Sequence, residues 1–497
     1  MNSSNSAPAE RTRQRGWKGE MLHAAFAAAS QTRPWTVGYR SLDSDRVSGE
    51  AKLTGQLPAG LRGTLFRNGP ARHERGGQRY GHRWDGDGMI QRFSLSESGV
   101  SHVGQYVNTK KYAAESECER LLVSGFGTYV PGSAPVPKDV DDLNPANISV
   151  VHFAGELLAL WEAGSAHRVD PDTLVTRGLK TWGDSLAGRP FSAHPRIERD
   201  GSLWNFGADP LRGELTLYHA AADGRLLQSH IVNVEQLPPT HDFAVTEHHL
   251  VFLLPPLILN KDRLESGVSF AESCQWSPAL GMRVLTIDKR DWSQRHFDLP
   301  PGCLFHVANA WEEKDGTIRL HYMRSEDPMS LLSGWSVMRG EYRHSEGARL
   351  TSLVLDPATG TATQTTIGEQ ESEFPIIALD DVGQRYEQVL CVERSPTRAS
   401  DMPGFDQVAL VNIDSGLSQR FSYGDDWLVE EHLLVAADGE PTPRWIVGTA
   451  LDVRAENTVL SVFDASHLGD GPIAQARLPY SLPLGLHGTF RATAAPP

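Results

Sequence analysis

The chain predicts an all-β fold, and two observations predict it. From about Asp43 onward, short β-prone runs alternate with turns rich in Gly, Asp, Asn and Pro. The runs include SVVHFAGELLALWE, HLVFLLPP, TIRLHYMR, TSLVLDP, QVALVNID and TVLSVFDA, and the turns ERDGSLW, EKDGTIR and DPATGTAT. Asp-Gly pairs between alternating segments are hairpin signals. The runs recur at roughly ten residues, the rhythm of a β-sandwich, barrel or propeller. No clean internal repeat chooses among the three.

Taken in order, residues 1–35 read as a polar leader with a short amphipathic helix around Gly19–Ala29. It has no sustained apolar stretch of the kind a secretory signal needs. Residues 36–491 read as a single domain and residues 492–497 as a tail. A length of 497 residues is ample for a large core, and large all-β folds of this size run as one domain. The net charge of −15, with no basic stripe, argues against nucleic acid as a partner. The four cysteines, Cys118, Cys274, Cys303 and Cys391, are scattered and form no CxxC pair, which points to a reducing, cytoplasmic setting. No run of 18 apolar residues offers a membrane span. No GxGxxG opens a βα unit and no P-loop is present, so nucleotide-dependent chemistry has no signature here.

Four of the 19 histidines stand in segments that suit a metal ligand: FSAHPRI (His194), HDFAVTE (His241), LFHVANAWEE (His306) and LPLGLHGTF (His487). Intervals of 47, 65 and 181 residues exclude a local loop, so only the closed fold can bring them together. Four neutral imidazoles with no thiolate or carboxylate suit Fe, Cu, Ni or Zn over Ca or Mg. Such ligands need their second ring nitrogen held, or tautomer and orientation drift.

The words around these histidines carry a resemblance. GTLFRNGP (63–70), WDGDGMIQRFSL (84–95), LLALWEAGSAHRVDPDTL (157–174), SAHP, HDFA, FHVANAWEE, EFP (373–375) and LHGTF follow one another in the order found in the carotenoid cleavage oxygenase family. That family includes apocarotenoid oxygenases, lignostilbene dioxygenases and the retinoid isomerase of the eye. The chain most resembles its bacterial apocarotenoid oxygenases.

The resemblance implies a seven-bladed β-propeller with iron on its axis and a cap of loops and helices over one face. Seven blades would average about 71 of the 497 residues each. It implies Fe(II) held by His194, His241, His306 and His487, with glutamates behind three of them: Glu162, Glu373 and Glu431. Glu430 competes with Glu431, because the family reads GEP where this chain reads EEH. In PANIS (145–149), Ile148 stands where cyanobacterial-type members have a Thr over one iron position, so it either blocks that position or belongs to strand core. Trp84, Trp161 and Phe305 are either pocket walls or core. Tyr106 and Lys138 are candidates for the Tyr–Lys pair with which stilbene cleavers grip a phenol, and Lys138 otherwise reads as a surface lysine. LVFLLPPLIL (250–259) reads as a membrane-dipping rim or as a buried strand.

The implied reaction uses O2 to cleave a C=C double bond of an apocarotenoid into two carbonyl products. The alternative is cleavage of a phenolic stilbene or phenylpropanoid alkene. Further from the pattern lie an iron-dependent isomerase and a propeller that only binds ligands. The implied partners are O2 and an apolar alkene, with peripheral membrane contact as the means of extracting it.

Overall fold

The computed structural model describes residues 8–134, 138–437 and 442–493. Seven antiparallel sheets of four or five strands form the blades of a β-propeller. The first blade holds Arg46–Glu50, Gly63–Arg72, Asp87–Ser96 and Gly99–Tyr106. The second runs from Ser149–Phe153 to Thr176–Leu179, the third from Arg196–Ile197 to Leu226–Asn233, and the fourth from Ala244–Val245 to Gln294–Leu299. The fifth runs from Cys303–Glu312 to Thr361–Thr366, the sixth from Glu371–Ile376 to Ser418–Ser422, and the seventh from Trp427–Ala436 to Ala474–Arg477.

The ring is closed twice. The C-terminal strand Gly488–Ala492 pairs with Gly63–Arg72 and becomes the inner strand of the first blade. Near the N-terminus, Lys52–Gly55 pairs with Ala474–Arg477 on the outer edge of the seventh blade. Chain ends that would fray are thereby held in ladders with distant partners.

Blades packed on both faces explain the continuous apolar runs of the middle strands. Leu250, Val251, Phe252, Leu253 and Leu254 are each at most 1% exposed, and the two faces of their strand feed two separate apolar clusters. Of the two readings of residues 250–259, the buried strand holds for His249–Leu254, which is pressed between blades. It is followed by Leu257–Leu259, half-buried and paired with Cys274–Trp276. Among the described residues, no helix is long and apolar enough to cross a membrane.

One face carries a cap. The helix expected around Gly19–Ala29 runs from Pro8 to Ala29. Phe26, Trp35, Val37, Tyr39, Val337 and Met338 of the cap pack against Tyr80, Leu428 and Leu451 of the propeller. The expected tail begins inside the last strand, which reaches Ala492; residues 1–7 and 494–497 lie outside the described ones. All four cysteines are free.

Candidate metal centre

Every blade sends one chemically distinctive side chain towards the axis. Glu162 follows the strand Glu156–Leu160 of the second blade, and His194 and His241 lie just before the inner strands of the third and fourth. His306, Glu373 and Glu431 lie within the inner strands of the fifth, sixth and seventh, and His487 immediately precedes the C-terminal strand of the first.

Three of these strands change register where the site residue sits. The irregularities fall between Leu304 and Asn309, between Glu373 and Ile376, and between Val429 and His432. A bulge breaks the strict alternation of faces and re-aims a side chain. Phe374, beside Glu373, has φ +55, an uncommon conformation for a non-glycine residue. Its ring lies 5.3 Å from that of His306 and 5.2 Å from that of His487.

The four ligand nitrogens lie within 4.8 Å of one another. Successive Nε2 atoms are 2.9 Å (His194–His241), 3.2 Å (His241–His306) and 3.1 Å (His306–His487) apart. The four imidazole nitrogens converge closely enough to share one ion, and the all-imidazole donor set fits a transition metal.

Each of three rings is held from behind. The Nδ1–H of His241 donates to Glu162 at 2.5 Å, that of His306 to Glu373 at 2.5 Å, and that of His487 to Glu431 at 2.8 Å. Carboxylate acceptors place the proton on Nδ1 and turn the Nε2 lone pair inward. Burial, reinforced by the neighbouring imidazoles, holds His194 and His487 well below the usual histidine range, so both stay neutral. His241 is shifted upward: burial opposes the charged form, but Glu162 outweighs it. Burial pushes the Glu431 carboxyl up to about 7, with Arg67 opposing the shift.

The choice between Glu430 and Glu431 is settled geometrically. Glu431 also accepts from the Gly488 amide at 2.8 Å. Glu430 turns the other way, accepting from Thr449 at 2.5 Å and from the Gly485 amide.

A scaffold that sequence reading missed locks the ligand segments together. Asp242 pairs with Arg196 at 2.7 and 2.8 Å and accepts from the Val307 amide at 2.7 Å. The flanks of His194, His241 and His306 thus meet at one carboxylate. Arg67 of the RNGP word donates to the carbonyls of Glu431 at 2.7 Å and Leu486 at 3.1 Å. A Cβ at Gly69 would stand 2.6 Å from the Gly485 Cα, so these two segments meet only without side chains. The signal was present: Arg67, Arg196 and Asp242 all stand in or beside the quoted motifs.

The substrate-wall expectations divide. Trp84, Ile148 and Phe305 line a cavity together with Glu162, His241, His306, Glu373, Phe374, Phe405 and His487. Phe305 stands edge-on to His241 at 5.7 Å, and Trp84 edge-on to Phe305 at 5.3 Å. The Tyr106 expectation is corrected, and for Trp161 the core alternative holds. Tyr106 lies on the fourth strand from the axis, where it stacks on Tyr112 and donates its hydroxyl to the Leu42 carbonyl at 2.8 Å. Trp161 packs against the cluster of Leu158, Leu160 and Phe191 and is not among the lining residues. Lys138 is exposed and also stands apart from the lining.

The profile of the family described as retinal pigment epithelial membrane protein matches residues 42–492. The chain belongs to this family. It is 27% identical over 478 residues to the apocarotenoid-15,15'-oxygenase of a Synechocystis strain, covering 92% of this chain and 96% of that protein. Against the lignostilbene-α,β-dioxygenase isozyme III of Sphingomonas paucimobilis it is 25% identical over 468 residues, covering 90% and 94%. The cobalt-substituted Synechocystis apocarotenoid oxygenase superposes with a TM-score of 0.83 at 26% identity, over 93% of this chain and 98% of that one. Expected family and propeller architecture both stand.

Proposed function

We propose that this protein is a non-haem Fe(II) oxygenase that uses O2 to cleave a C=C double bond of an apocarotenoid, giving two carbonyl products. The observation that carries this reading is the convergence of four imidazoles, each from a separate blade, three of which (His241, His306 and His487) line a cavity with apolar walls. Relatives along nearly its whole length are named as an apocarotenoid oxygenase and a lignostilbene dioxygenase.

His194, His241, His306 and His487 would hold the ion, and Glu162, Glu373 and Glu431 would fix the rings that bind it. Iron supplies the centre at which O2 becomes reactive towards an electron-rich double bond. Around it, Trp84, Phe305 and Phe374 give flat walls for a conjugated chain and exclude water. Ile148, at 3% exposure, presents an apolar branched side chain to the same space, and in this reading it narrows the approach of O2. Glutamate carboxyls behind three of the imidazoles would offset part of the cost of a buried dication.

Phenolic stilbenes are the second reading, supported by the lignostilbene-cleaving relative. It cannot rest on Tyr106 and Lys138, which stand apart from the cavity lining.

The deciding experiment is aerobic incubation of Fe(II)-loaded protein with an apocarotenal and with 4-hydroxystilbene, following O2 uptake and aldehyde products. Cleavage of the apocarotenal in proportion to iron content is the expected result. Cleavage of the stilbene alone would transfer the proposal to phenolic alkenes. Turnover without O2 uptake would replace it with an isomerase.

A further inference from the structure

The cavity lining mixes two chemistries. Trp84, Ile148, Phe305, Phe374 and Leu486 are apolar, whereas Tyr39, Arg83, Tyr342, His344, Glu371 and Arg394 are polar. A site for a plain hydrocarbon has no use for polar groups without partners, since burying them costs free energy.

Most charges in this lining already have partners. Glu162 and Glu373 accept from histidines. Glu371 accepts from His344 at 3.0 Å, and Glu346 pairs with Arg349 at 2.5 Å. Arg394 is spent on the carbonyls of Ala399, Met402 and Gly404. Arg83 differs: among the described residues it forms no ion pair with a carboxylate. Its neighbours are the Tyr39 hydroxyl and the Trp84 ring, 5.5 Å from its guanidinium carbon. Tyr39 is 4% exposed, and burial raises its pKa, so it is a neutral hydroxyl beside the cation. Ring contacts lead from His241 to Phe305 to Trp84 and on to this guanidinium. A rod-shaped ligand with its double bond at the histidines can follow that path.

We infer that Arg83, with the Tyr39 hydroxyl beside it, binds an anionic oxygen at the end of the substrate, a carboxylate or a phenolate. The inference rests on the oxygenase reading and names the substrate class within it. A planar guanidinium with a free edge accepts a carboxylate in two parallel bonds or a phenolate in one, and an aromatic ring on its flank keeps it oriented. Arg83 is thus a specificity-determining residue, set apart from the atoms that react.

The test is quenching of tryptophan fluorescence in the metal-loaded protein by two matched pairs: an apocarotenoic acid with its methyl ester, and 4-hydroxystilbene at a pH that ionises it with 4-methoxystilbene. Arg83→Met should weaken binding of the anionic member of one pair by about 10- to 100-fold and leave its neutral analogue within about twofold. Arg83→Lys should restore part of the loss. The affected pair identifies the oxygen as carboxylate or phenolate. Equal weakening of both members would mean that Arg83 only supports the fold, and unchanged binding of both would remove it from the site; either result overturns the inference. Because the readout is binding, it separates from cleavage. Selective loss in Arg83→Met without turnover by the wild type would overturn the oxygenase reading and keep Arg83, whereas cleavage indifferent to Arg83 would do the reverse.

Discussion

Two buried polar clusters in this protein look alike in composition and differ in what they lack. Beside the cap, Arg75, Lys111, Asp87 and Glu115 are each no more than 3% exposed in their side chains. Arg75 pairs with Asp87 at 2.6 Å, Lys111 with Asp87 at 2.6 Å and with Glu115 at 3.3 Å, and Tyr80 donates to Glu115. Two cations and two anions cancel. The axial cluster instead sets three glutamates behind four imidazoles whose Nε2 atoms all face one point. Its donors are complementary to a cation that the protein itself does not provide. The first network closes on itself and so is structural; the second is completed from outside, which is the physical mark of a binding centre.

The comparison has consequences that can be broken. The largest effect is expected at the axis: His241→Ala should reduce both iron content and turnover to background, measured by elemental analysis and O2 uptake. Full iron occupancy in that variant would end the ligand assignment. Asp87→Ala should act on the other cluster. It leaves Arg75 and Lys111 with Glu115 as their remaining carboxylate, at a cost of about 3–5 kcal/mol in denaturant unfolding. Iron stoichiometry of the folded fraction should stay intact, and loss of iron without loss of stability would reverse the two roles.

Next in size are the glutamates. Glu373→Gln and Glu431→Gln should each weaken metal retention by about 10- to 100-fold without unfolding the protein. Glu430→Gln should leave retention unchanged and cost about 1–3 kcal/mol of stability through Thr449 and Gly485. An equal effect of Glu430 and Glu431 on the metal would refute the geometric distinction between them. Chelation should remove only linkage stabilisation, about 2.7 kcal/mol at a hundredfold excess over Kd, and should leave the circular dichroism of the sheets unchanged. Smallest of all, Tyr106→Phe should cost about 1 kcal/mol through its bond to Leu42 and leave KM unaltered, as measured by thermal melting and steady-state kinetics.

Much of the site was legible because its residues sit in words. SAHP, HDFA, FHVANAWEE and LHGTF name the four histidines, and LWEAG and SEFP name two glutamates. The third was ambiguous for a physical reason. In a regular strand Glu430 and Glu431 face opposite sides, and which one turns to the axis depends on the bulge between Val429 and His432. Tyr106 misled because a favourable local word says nothing of how many strands separate it from the axis. LVFLLPPLIL left two readings open for a related reason, since apolar composition is equal for a membrane rim and for a strand between two blades.

By itself, the sequence determined the alternation of strands and turns, the all-β class, and the residue types needed for a nitrogen-rich metal centre. Those are properties of local pattern, written within windows of a few residues. Only the tertiary structure decided that each blade delivers one side chain, that Asp242 ties three ligand segments together, and that Arg83 and Tyr39 share the cavity with the histidines. These depend on closure of the ring, which brings together residues far apart in the chain, such as Arg67 and Leu486, bonded across 419 positions. No local pattern encodes such distances; they follow from the packing of seven sheets about one axis.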